Sequence, residues 1–451
     1  MNKLQAGFSK LNINPPMGTP INGYFTARHV KGFLDDLEVC ALALRVEDTT
    51  VVMLSADNCL FPTATALSMR QQIAQATDLP LDAIWLHTTH THLAPQVGDS
   101  NHAGKYEFPE QEQLVEEYEQ FLRRRLADAA KLAIADLKDA KMGWAVGNAP
   151  HISFVRRFRM KDGTVRTNPG IGNPDILHPI GDVDERVNVL RFDRAEDSLV
   201  LVNFGCHPDT VGGNLVSADW PGFTRRRVEK ALDNVKCIFF NGAQGDVNHV
   251  NVNDPHSHVP GDENIARRYQ HTSHMGNVVA GAVLQVYGNV HYEDVDSLYT
   301  LSKTVALPSN MPKPEDLPQA REYNRLYSEG REDLIPFTGM ELTTVIAEAA
   351  RMLRLEHGPE FFNLGMNAIK LGNIGFVSIP GEPFTGIGLG LKKAEDWTLI
   401  LPMCLTNGCD AYFPMKDSYD EGGYEARSSN YSAGVAEQII EEGLQLLKEL
   451  R

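Results

Sequence analysis

Short apolar runs recur along this chain, and each stops in a loop that carries histidine, glycine or an acid. Runs of that length, bounded by turn residues, read as buried strands. A chain with many of them must stack sheets and helices around shared cores. The most demanding case is "IWLHTTHTHLAPQVG", residues 84 to 98, where three histidines fall within six positions after an apolar run. Side chains alternate faces along an extended strand, so His90 and His92 are expected on one side and His87 on the other. Two imidazoles aimed at one point suit a metal ion or a proton transfer. The alternative is that these are hydrogen-bonded core or loop histidines.

The flanking segments organise as strands and helices in alternation. "LEVCALALRV", "TTVVMLSAD", "VNVLRFD", "LVLVNFGCH" and "VKCIFFNGAQGD" read as strands, and "MNAIKLGNIGFVSIPGEPF" as a strand pair. "LILPMCLTNGCDAYFP" reads as one further strand. Helical spacing of apolar residues marks "QEQLVEEYEQFLRRRLADAAKLAIADLKDA", "WPGFTRRRVEKALDN", "ARRYQHTSHMGNVVAGAVLQVYG" and the closing "GVAEQIIEEGLQLLKELR". The four-proline segment "LPSNMPKPEDLPQAREYNR" is the best linker candidate, yet it leads into helix. These signals predict one α/β domain over residues 1–451, with central β-sheets flanked by helices.

A formal charge of −17 on 451 residues argues against nucleic acid or an anionic membrane as partner. No apolar run approaches the length that spans a bilayer, and "MNKLQAGFSKLNINPP" lacks the apolar centre of a signal peptide. The six cysteines form no C-x-x-C and read as reduced thiols. A cytoplasmic protein with a small-molecule substrate, and with homo-oligomerisation open, is expected.

Four strand ends carry residues that can bind zinc: "THTH" with His90 and His92, "NFGCHP" with His207, "PGEP" with Glu382, and "LTNGCDAYFP" with Tyr412. In α/β folds such ends are where sites form. The order "THTH", "NF-x-x-HP", "NGAQGDV", "PGE" and "LTN" followed by two spaced tyrosines resembles the neutral (non-lysosomal) ceramidase family over its catalytic domain. No counterpart of the family's C-terminal immunoglobulin-like domain is expected. The resemblance implies a zinc-dependent amidohydrolase that cleaves an N-acyl bond, with one zinc per chain on His90, His207, Glu382 and Tyr412. It assigns His92, Asn248 and Tyr424 to catalysis, and Gly23 of "INGYF" and Arg156 of "SFVRRFRM" to substrate binding.

The main departure lies in "GDVNHVN". Asn248 stands where the family has serine, and asparagine is no acyl acceptor. The expected nucleophile is therefore metal-activated water, with His92 as general base and then proton donor, and with Tyr424 and Asn248 stabilising the oxyanion. The three arginines of "VRRFRM" read either as a solvated hairpin face or as a fork for a polar head group. The second option favours a small polar N-acyl compound over ceramide. Histidines 249, 256, 258, 271 and 274 leave a second metal site open, although His256 and His258 fit a loop over the pocket better, and His271 and His274 one helix face. "GAQGD" lacks the residues of a phosphate loop. A metallophosphoesterase, for which "GDVNH" is similar to a ligand segment, and a non-catalytic zinc- or sugar-binding descendant are the rival readings.

Overall fold

In the strand Glu38–Val46, Cys40, Leu42, Leu44 and Val46 enter one hydrophobic cluster, while Val39, Ala41 and Ala43 enter another. Period-two alternation with both faces apolar requires cover on both sides. The computed structural model, which describes residues 4–98, 108, 110–257 and 264–451, shows how that cover is arranged. Three sheets share the central cluster, and each turns its other face to helices.

The first sheet runs in the order Ile84–Thr88, Thr49–Ala56, Glu38–Val46, Gln5–Asn12 and Lys138–Asp139. Its outer face carries the helices Thr63–Thr77 and Glu110–Ala135 through Met69, Ile73, Tyr118 and Leu122. The second sheet runs Val235–Asn241, Ser198–Phe204, Arg186–Asp193, Lys141–Asn148 and His291–Glu293. It is covered by Asp219–Ala231 and Ile265–Tyr287 through Trp220, Val228, Met275 and Val279. The third runs Leu298–Pro308, Phe361–Leu371, Ile374–Ile379 and Leu399–Cys404, covered by Thr385–Leu391 and Val435–Glu449. Strands from both chain ends thus meet around residues such as Trp85, Phe240 and Phe376.

Each sheet contains one parallel pair joined through a helix: Thr49–Ala56 with Ile84–Thr88, Ser198–Phe204 with Val235–Asn241, and Ile374–Ile379 with Leu399–Cys404. The C-terminal ends of parallel strands are where open α/β sheets bind ligands. His90, His207 and Glu382 follow one such strand from each sheet.

Two expectations are corrected. The long amphipathic helix stops at Ala135, and Lys138–Asp139 instead pairs with Gln5 and Ala6 at the sheet edge. "LILPMCLTNGCDAYFP" is two elements: the strand Leu399–Cys404 ends, left-handed Leu405 and Asn407 turn the chain, and Tyr412–Phe413 pairs elsewhere. The Asn407 side chain and backbone bond Leu86 at 2.9 and 2.7 Å and tie the third sheet to the first. The proline-rich segment leads from the strand Leu298–Pro308 into the helix Leu317–Ser328. Among the described residues no helix is long and apolar enough to cross a membrane.

Candidate active site

The strand holding His87 ends at Thr88, so His90 and His92 do not converge by strand alternation. The turn does it: His90 has φ 72°, its N–H bonds the carbonyl of Asn58 at 2.8 Å, and its Nδ1 bonds that of Cys59 at 2.7 Å. Donation from Nδ1 leaves the Nε2 lone pair facing inward. That Nε2 lies 3.1 Å from Nε2 of His207, 3.3 Å from Nε2 of His92 and 3.1 Å from Oε2 of Glu382. Oε2 is also 3.6 Å from His207 and accepts no well-aligned hydrogen bond. His87, by contrast, is a core histidine held by Cys404 and Asn241.

The electrostatics of this point are unbalanced. Burial pulls the His90 pKa down, but the Glu382 carboxylate and Cys59 together raise it well above the ordinary value. Burial pushes Glu382 up, and His90, with Arg156 and Tyr412, brings it below the ordinary value. His207 falls well below, through burial and then the charge of Arg156. A buried carboxylate between imidazole lone pairs calls for one cation. His90, His207 and Glu382 bring their ligand atoms close enough to hold a single ion, with imidazole and carboxylate donors that suit zinc. Cys59 also lies near, but its Sγ is 3.8 Å from the His90 Nδ1 already bonded to the Cys59 carbonyl.

Tyr412 reaches the centre by strand pairing. Glu382 and Tyr412 are register partners in a two-stranded parallel ladder, and the Tyr412 hydroxyl bonds the Glu382 carboxylate. The ring of Tyr424 stands 5.6 Å from that of Tyr412. The "GAQGD" loop serves as a buttress. The N–H groups of Gln244 and Gly245 bond the carbonyl of Pro383, and a Cβ on Gly245 would lie 2.5 Å from the Glu382 carbonyl oxygen. Gly23 has φ 105°, and a Cβ there would meet the His92 ring at 2.8 Å, so this glycine makes room for the imidazole.

All nine residues singled out in the sequence (Gly23, His90, His92, Arg156, His207, Asn248, Glu382, Tyr412 and Tyr424) line one cleft of about 370 Å³. Their surroundings alter three readings. The arginines of "VRRFRM" are not a free fork, because Arg156 pairs with fully buried Glu425 at 2.6 Å while Arg157 and Arg159 share Glu421. Asn248 spends an N–H on Asn168 at 3.0 Å, and its oxygen pins the N–H of Val250. Asp246 accepts from the N–H and hydroxyl of Thr385, which removes the phosphoesterase-like ligand set.

The histidine-rich segment yields no second metal cluster among the described residues. His249 lines the cleft with its ring 5.3 Å from that of His271, His271 and His274 share a helix face, and His256 is exposed. His258 lies outside the described residues. Sequence reasoning missed Tyr24, Cys59, Asn168, Asp209, Met340 and Thr343 in the lining. Asp209 was the most findable, two positions after His207. It bonds the Tyr24 hydroxyl, lies 4.0 Å from Nδ1 of His92, and burial pushes its pKa up to about 6. Arg28 stacks on Tyr24 and bonds the His92 carbonyl at 2.9 Å, which fixes this side of the cleft.

No protein-family model matches the sequence, and no curated protein does. Solved structures do match. Neutral ceramidase from Pseudomonas aeruginosa aligns with a TM-score of 0.74 at 15% identity, over 100% of this chain and 75% of that one. A ceramidase complexed with C2 aligns at 0.73 and 16% identity, over 100% and 76%. The chain has the neutral ceramidase fold along its whole length.

Proposed function

On that fold, we propose that this chain is a metal-dependent amide hydrolase that cleaves an N-acyl bond, with one zinc ion held by His90, His207, Glu382 and Tyr412. The observation that carries the proposal is the meeting of two imidazole Nε2 atoms and the undonated Oε2 of Glu382 at the inner end of a cleft. The ceramidase activity named for the similar structures supports an amide as the scissile bond. When bound, the ion supplies a Lewis acid that polarises the acyl carbonyl and makes a water acidic near neutral pH.

The chain's own residues do the rest. His92 receives the water's proton and delivers it to the leaving nitrogen, held in place by Gly23, Arg28 and Asp209. The second N–H of the Asn248 amide and the Tyr424 hydroxyl orient the acyl oxygen as charge develops on it. Asparagine at 248 forms no acyl-enzyme, so water is the nucleophile. Arg156 acts through Tyr412, over whose ring it sits, and the turn carbonyl of Gly245.

A small polar N-acyl compound is the proposed substrate. The cleft is at the lower end of the range for drug-sized ligands, roughly 300–1,000 Å³, and cannot enclose both chains of a long-chain N-acyl lipid. Thr26, Asn168 and Asp209 stand among its walls beside Phe25, Leu60 and Met340. Ceramide itself is the second reading, favoured by the full-length fold match. One assay separates them: purified protein is analysed for metal, then offered soluble N-acyl amino acids, N-acyl sugars and detergent-dispersed ceramide. About one zinc per chain, lost in His207→Ala, with turnover of soluble amides is expected. Protein free of transition metal would refute the centre, and turnover of ceramide alone would refute the substrate class.

A further inference from the structure

A second cleft, of about 560 Å³, opens on the far side of the Pro380–Glu382 turn, which shows Pro380 to this cleft and Glu382 to the first. One wall is the helix Thr63–Thr77 with Arg70; the other is the polar face of the strands Leu298–Pro308 and Phe361–Leu371. Register places Ser302 opposite Asn367 and Thr304 opposite Gly365.

Two side chains here are more than nine-tenths buried and still have unused donors. Arg70 is 7% exposed, with Nε on the carbonyl of Ile84 at 2.8 Å and Nη2 on that of Leu81 at 2.7 Å. It makes no ion pair among the described residues, and its Nη1 has no hydrogen-bond acceptor there. Burial lowers its pKa to about 10, with Asp82 as the opposing charge. Asn367, also 7% exposed, accepts at Oδ1 from Asn407, whose own orientation is set by the N–H of Leu86. Its amino group is thereby turned from that contact and donates to nothing among the described residues.

From these donors we propose that the second cleft binds a small carboxylate, received by Nη1 of Arg70 and Nδ2 of Asn367 beside the hydroxyls of Ser302 and Thr304. One buried guanidinium without a salt bridge matches one carboxylate charge, and a charge-assisted hydrogen bond is roughly twice as strong as a neutral one. Phosphate fits worse. Two edges of the guanidinium are already taken by carbonyls, Lys303 is committed to Glu442, and Asp82 at the margin repels a dianion.

Calorimetric titration with sodium hexanoate, hexanamide and inorganic phosphate tests this on the parent protein and on His207→Ala, in which the other centre is disabled. Saturable hexanoate binding at one site per chain in His207→Ala is expected, at least tenfold weaker in Arg70→Met. Arg70 also supports the carbonyls of Leu81 and Ile84, so Gly365→Trp provides a second variant. A Cβ at 365 meets nothing within 4 Å, Gly365 lines the cleft, and the substitution lies on the strand wall opposite Arg70. Loss of binding there is expected too. Absence of saturable binding in His207→Ala, equal binding of hexanamide, tighter binding of phosphate, or unchanged affinity in Gly365→Trp would overturn the proposal.

Discussion

Acid should destabilise this protein through His87. The residue is fully buried, its Nδ1 bonds the Cys404 carbonyl at 2.8 Å, and its Nε2 accepts the N–H of Asn241 at 3.0 Å. A proton on Nε2 would confront that amide hydrogen in an apolar interior. Burial accordingly lowers the pKa to about 3, the Cys404 carbonyl opposing and the neighbouring charge of His90 adding to the fall. The unfolded value is about 6.5, so between those limits the unfolded chain binds more protons. Stability from this group is fully present above about pH 6.5 and drains away as pH falls toward the folded value. At about 1.36 kcal/mol per unit, the loss from about pH 7.5 to about pH 5 is roughly 2 kcal/mol, with a ceiling near 5 kcal/mol at still lower pH. Urea unfolding of the parent and of His87→Gln at both pH values measures it. Glutamine supplies one donor and one acceptor but does not titrate, and comparison of the two proteins cancels every other group. The parent should lose about 2 kcal/mol more than the variant. Equal losses would show that His87 accepts its proton without cost.

Other substitutions probe the cleft. Gly23→Ala places a methyl 2.8 Å from the His92 ring, so turnover should drop at least tenfold with metal content unchanged, as read by elemental analysis beside kinetics. Asn248→Ala should lower kcat about 10²-fold, as loss of an oxyanion donor does, and His92→Ala at least as much; mass spectrometry that traps an acyl group on any side chain would contradict both. Arg156→Ala leaves the Glu425 carboxylate buried and unpaired, a loss of about 3–5 kcal/mol, so the midpoint of thermal unfolding should fall well before any change in KM is seen.

The strand ends were legible because their chemistry is local. An apolar run followed by "THTH", "CHP" or "PGE" displays both the strand and its ligand, and these residues do line one cleft. The Glu382–Tyr412 ladder lay behind an ordering of motifs, not behind periodicity, which ran Tyr412 into the preceding strand. What stayed hidden depends on partners far away in sequence. Nothing near "VRRFRM" announces that Glu421 and Glu425 will neutralise its arginines, and nothing near Met340 and Thr343 announces that their helix walls the cleft. The left-handed turn at His90 likewise depends on the carbonyls of Asn58 and Cys59 across the sheet.

His90, His207 and Glu382 each follow a strand of a different sheet, and that origin has a consequence for how the molecule is made. His90 leaves the ribosome early, His207 midway, and Glu382 and Tyr412 near the end. A nascent chain can close the first two sheets and bring His90, His92 and His207 together while the carboxylate of Glu382 is still missing. Under the proposed zinc assignment, full ligation waits until the third sheet has docked and supplied Glu382 and Tyr412. A chain that stops short of Glu382 would lack that proposed set of ligands.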